Sequence, residues 1–115
     1  MAFSKFERKR CEKIVGAFVE KRRPPIHVRT QVDLGFRIQG QSVEIFEVRP
    51  AWNDPKRKIE SPVAKATYVK TKDLWKIYWK RADNEWQGYG PMREVDTSED
   101  FLKVVDADPY GCFFG

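Results

Sequence analysis

Any chemistry in this chain must come from a short list of side chains, because the familiar catalytic arrangements have no residues to build them. There is one histidine, His27. No Gly-rich phosphate loop, G-x-S-x-G elbow or H-E-x-x-H helix occurs in the sequence, so neither a phosphate cradle, a presented serine nor a paired-histidine zinc site is encoded. The two cysteines, Cys11 and Cys112, stand at opposite ends of the chain. That separation reads as neither a disulfide framework nor a metal site, and both are expected to be free thiols. Cys11 also falls on an apolar helical stripe, where a cysteine behaves as a small hydrophobe rather than a nucleophile. These residue types point away from an enzyme, with no catalytic residue, metal or cofactor expected.

Two polar constellations remain. The first is Glu47 and Arg49 at the end of a strand, followed by Pro50, Ala51 and Trp52. Arg49, with His27 and Arg29 from an upstream connector, would offer forked donors to a carboxylate or phosphate, and Trp52 a wall. The plainer alternative is a Glu47–Arg49 ion pair that fixes a corner of the sheet. The second constellation is Lys65 and Thr67 on one strand beside Lys76, Tyr78 and Lys80 on the next. Lysines interleaved with rings suit single-stranded nucleic acid, since bases stack on the rings while ammonium groups meet phosphates. The same lysines would equally solvate an open sheet face and guard its edges. Lys56, Arg57 and Lys58, with Lys5, Lys9 and Lys13, extend a basic surface if the fold brings them together; otherwise they are solvated faces.

The elements that must position these groups follow from local pattern. Ser4 and Glu7 form an S-x-x-E capping box that starts a long helix. Cys11, Ile14, Val15 and Phe18 repeat at i, i+3, i+4 and i+7 along one buried face, and Lys5, Lys9 and Lys13 line the other. Pro24 and Pro25 end it. Val32, Leu34, Phe36 and Ile38 then alternate with polar residues, Gly40 turns the chain, and Ser42 to Arg49 returns as the second strand of a hairpin. Pro50 is expected to stop that strand, leaving residues 50 to 60 as an exposed loop. Further strands are expected from Val63 to Lys70, Leu74 to Arg81 and Glu85 to Tyr89, with Trp75, Ile77 and Trp79 on one face and Pro91 closing the sheet region. Thr97 or Ser98 caps a short final helix carrying Phe101, Leu102 and Val105. The expectation is an α+β fold of one domain over residues 1 to 115: a long N-terminal helix, a five-stranded antiparallel meander, and a short C-terminal helix.

With 115 residues, 41% hydrophobic and 14% aromatic, the chain can bury one core without staples and does not resemble a disordered segment. No run approaches the ~18 apolar residues that a spanning helix needs, and no signal-like apolar segment opens the chain, so a reducing cytoplasm and no membrane partner are expected. The net charge of +5 is unevenly spread: residues 1 to 30 carry +6, 31 to 50 −1, 51 to 82 +6 and 83 to 115 −6. Such asymmetry suits an anionic partner for the basic portion, an acidic end that docks on the protein's own basic surface, or an acidic end that simply gives solubility.

In combination, Lys21 to Arg29, Phe46 to Trp52, Ser61 to Ala66 with Tyr68, Leu74 to Trp79, and the ending Asp106 to Gly115 resemble a family of short bacterial proteins. It is the domain-of-unknown-function family numbered three thousand and twenty-four. The resemblance implies no activity. It marks His27, Arg29, Glu47, Arg49, Trp52, Tyr68, Trp75, Tyr78, Trp79, Trp86, Phe113, Phe114 and Gly115, whose polar members coincide with the strand-end cluster found by periodicity. The leading functional expectation is a non-enzymatic binding protein whose basic and aromatic surface takes an anionic partner such as nucleic acid. A protein-interaction adaptor and a small-ligand pocket at Glu47, Arg49 and His27 are the alternatives.

Overall fold

Helix α1 spans Lys5–Arg22 in a computed structural model that describes residues 3–114. It starts where the capping box predicts: Ser4 Oγ accepts from the Glu7 N–H at 3.2 Å, and Glu7 Oε1 accepts from the Ser4 N–H at 3.0 Å. Cys11, Val15 and Val19 are buried, with Ile14 and Phe18 packed beside them. The helix stops at Arg22, ahead of Pro24 and Pro25. A single 3-10 turn, Ile26–Val28, then leads into the sheet.

The sheet runs β1 (Asp33–Gln39), β2 (Ser42–Ala51), β3 (Asp54–Val69), β4 (Leu74–Lys80) and β5 (Trp86–Gly88), each antiparallel to the next in chain order. This is the expected meander. Gly40 makes the first turn at φ 58°, a left-handed conformation that glycine adopts without strain. Alternation places Ile38, Val43, Ile45, Ala64, Ala66, Trp75 and Ile77 on one buried face. Helix α1 crosses that face close to β1, where a Cβ on Gly16 would sit 3.6 Å from the Phe36 ring. Helix α2 (Ser98–Ala107) joins the same core through Phe101, Leu102 and Val105. Thr97 is its cap, accepting the Asp100 N–H at 3.1 Å. Asp108 ends it in the left-handed region, and its carboxylate receives the N–H groups of Phe113 and Phe114 at 3.1 and 2.9 Å. Those bonds hold the tail so that Phe113 packs against the Tyr89 ring, centroids 4.8 Å apart. Gly115 lies outside the described residues.

Two expectations about boundaries are corrected. Pro91 does not close the sheet: a two-residue strand, β6 (Glu94–Val95), returns to pair with Trp75 and Lys76 on the edge of β4 already used by β5 further along. Pro91 sits in the excursion between β5 and β6, where no ladder donor is needed.

The larger correction concerns residues 50 to 60. Pro50 does not stop β2, and the expected loop is a hairpin arm. Strand β2 continues to Ala51, turns at Trp52 and Asn53, and pairs back with β3 from Asp54. Pro50 stands opposite Lys58 and Ala51 opposite Asp54, which leaves Pro55, Lys56 and Arg57 as a wide bulge without partners in β2. Beyond Val48, the last residue of β2 paired with β1, the arm is two strands wide. Residues 52 to 60 are all exposed while Ala51, at the end of β2, is buried, so the arm carries no apolar alternation, and a proline is tolerated on a strand with a free edge. The arm projects roughly 13 Å from Val48 to Trp52, four residues at the rise of a strand.

Candidate functional site

The strand-end cluster occupies the corner where α1 ends and β1 begins. Glu47 and Arg49 share a side of β2, as period 2 predicts, and Arg49 Nη2 donates to Glu47 Oε2 at 3.4 Å. Arg29 turns elsewhere, its Nε donating to the Pro24 carbonyl at 2.9 Å. His27 lies exposed in the 3-10 turn. Among the described residues, no hydrogen bond or ion pair joins His27 or Arg29 to Glu47 or Arg49. The strong pair at this corner is one the sequence did not single out. Arg23 clasps Asp33 through two bonds of 2.9 Å, the bidentate geometry that favours arginine over lysine. These bonds hold the Asp33 carboxyl below its ordinary range, with burial opposing them.

The arm carries a different environment. Trp52, at its turn, is 95% exposed. Lys56, Arg57 and Lys58 follow within the bulge and just past it, all exposed. Asp54 Oδ1 accepts the Lys56 N–H at 3.1 Å and shapes the bulge, while Lys58 Nζ donates to the Thr30 carbonyl at 2.9 Å and ties the arm to the connector before β1. Among the described residues, none of Arg29, Lys56, Arg57 and Lys58 has a carboxylate within ion-pair distance. Two further apolar side chains are exposed at this end, Ile26 in the connector and Ile59 opposite Arg49 on the arm. Neither was singled out in the sequence, because an isolated isoleucine in a polar stretch carries no periodic signal.

The open sheet face holds the second expected set. Lys65, Thr67, Lys76, Tyr78 and Lys80 do share the face away from the helices. Their rings, however, already have cations: Lys65 Nζ lies 5.0 Å from the Tyr78 centroid and 4.7 Å from that of Trp86, and Lys80 Nζ lies 4.8 Å from Trp86. Burial in this stack lowers the Lys65 pKa, and the nearby Glu44 opposes that shift. Acidic residues alternate with the lysines across the strands, Glu44 opposite Lys65 and Glu94 opposite Lys76. Further along, Arg37 covers the Phe46 ring at 4.5 Å and reaches Glu60 at 2.6 Å and Glu44 at 3.7 Å. This face is a mixed-charge surface. Lys65 stands roughly 20 Å along β3 from Lys58 at the rise of a strand, and Lys5, Lys9 and Lys13 lie on α1 across the sheet, so the basic groups form separate surfaces.

The family model described as a domain of unknown function, DUF3024, matches residues 3–115. The chain belongs to that family. No curated protein and no solved structure matches it. Membership of DUF3024 carries no assigned chemistry, so the arrangement of side chains is what speaks to function. Among the described residues, no helix is long and apolar enough to cross a membrane, and no three metal-ligating side chains gather into a site.

Proposed function

We propose that this chain is a non-enzymatic nucleic-acid-binding protein of the cytoplasm whose contact surface is the β2–β3 arm. The observation that carries the reading is the arm itself: Lys56, Arg57 and Lys58, without carboxylate partners, stand beside an almost fully exposed Trp52, with Arg49 at the arm's base. A cation already paired with a carboxylate gives little net attraction to phosphate, whereas an unpaired one releases counterions from the backbone on contact. That difference favours the arm over the sheet face, where Lys65, Lys76 and Lys80 have acidic neighbours or rings.

Three or four phosphate contacts give a slope of log affinity against log salt of about −2 to −4, from roughly 0.7 per contact on single strands and 0.9 on duplex. Polarisation titrations of labelled DNA and RNA, single- and double-stranded, across a range of salt measure it. The R57E/K58E variant is expected to lose binding and flatten the slope, while K76E/K80E changes little. Absence of binding at low salt to all four probes rejects the proposal.

A protein-interaction adaptor is the second reading. It is favoured by an apolar cleft lined by Tyr89, Pro91, Val104, Ala107 and Pro109 and flanked by exposed Met92 and Tyr110. Recovery of one protein partner through that cleft, with no nucleic acid bound, selects it.

A further inference from the structure

Resting on the nucleic-acid reading and going further, the geometry points to a target class: we infer that Trp52 stacks on an unpaired base while Lys56, Arg57 and Lys58 hold the neighbouring phosphates, so that the arm selects single-stranded or looped nucleic acid over duplex. The four tryptophans are used differently. Trp75 is buried in the core, Trp79 packs against it, and Trp86 lies beneath Lys65 and Lys80. Trp52 has no ring or cation partner among the described residues and is 95% exposed, so its ring surface is open to a ligand. An indole contributes nothing to the core from such a position. Its exposed surface is removed from water only when something stacks on it.

The size of the footprint decides between duplex and single strand. In a duplex every base is already stacked on its neighbours, and a ring enters only by opening a step, at a cost similar to what its own stacking returns. Proteins that wedge side chains into duplex offset that cost by wrapping bent DNA over a large basic surface. Here the basic footprint is short. Glu47 and Glu60 stand at the base of the arm, and Glu44 and Glu94 interrupt the lysines of the sheet face, so a long run of phosphates meets acids as well as cations. An unpaired base needs no step opened, and one stacked ring with a few flanking phosphates is what the arm can satisfy.

The test compares the full chain with W52A, W52F and R57E/K58E on a short single strand, a hairpin with a looped-out base and a blunt duplex of matched sequence. Trp52 makes no core contact, so W52A is expected to keep the wild-type melting temperature. The expected result is tighter binding to the single strand and the looped probe than to duplex. W52A should lower single-strand affinity about 5- to 150-fold, the span of one base–ring stack, with duplex affinity and salt slope unchanged. W52F should keep much of the affinity. Equal affinity for single strand and duplex, or a W52A variant that binds single strands like wild type, overturns this inference and leaves the broader reading standing. No binding to any probe removes both. Trp52-dependent binding to anionic phosphatidylserine vesicles, with no oligonucleotide bound, overturns both in favour of a membrane surface.

Discussion

Replacing Gly35 with alanine tests how the outer face of the sheet is built. Phe46 alternates with Ile45 and therefore points away from the helices, yet it is only 7% exposed. It lies over Gly35, directly across from it in β1, and beneath the Arg37 guanidinium 4.5 Å from its centroid. A Cβ on residue 35 would fall 2.7 Å from Phe46 Cε1 and 2.8 Å from Cζ, closer than real carbon contacts allow. Lifting the ring means displacing the Arg37 guanidinium above it, which hydrogen-bonds Glu60 at 2.6 Å. Overpacking of this kind costs about 1–3 kcal/mol, which for a chain of this length lowers the melting temperature by roughly 4–12 °C. Urea denaturation should show a lower midpoint with an unchanged slope. Trimming the ring relieves the clash, so G35A should cost much less in an F46L background than in wild type. A G35A variant within about 0.5 kcal/mol of wild type, or a penalty equally large in the F46L background, would refute this seating of Phe46.

Other perturbations probe other parts. Ser4→Ala removes half of the capping box and should cost about 1 kcal/mol by urea denaturation. Because the Arg23 bonds depress the Asp33 carboxyl, its stabilising effect is present above the unfolded value and is lost as pH falls through the lower folded one. The stability advantage of wild type over D33N should therefore shrink below about pH 4, and an advantage that does not change with pH would contradict the pair. Ile45 is fully buried; I45V should cost about 1 kcal/mol and I45A about 2–5 kcal/mol in the same assay.

Much of the scaffold was readable from the sequence because its signals are local. Ser4 and Glu7 satisfy each other's backbone donors within one turn, Val15 and Phe18 repeat at the period of a helix, and Leu34 to Ile38 and Trp75 to Trp79 alternate at the period of a strand. The Glu47–Arg49 pair was foreseeable for the same reason, since period 2 sets both on one side. The arm at residues 50 to 60 was not readable, because a ribbon exposed from residue 52 to residue 60 leaves no alternation behind. Strand β6 is too short to have a period. The burial of Phe46 depends on Gly35 across the ladder, and the Lys65 stack on rings from β4 and β5. Whether a lysine ends up paired, stacked or free is likewise a matter of which strands lie beside it and in what register. Backbone hydrogen bonding and side-chain period act over a few residues and are written locally, whereas a charge takes its partner from whatever the completed fold brings within a few ångströms, and that only the tertiary structure decides.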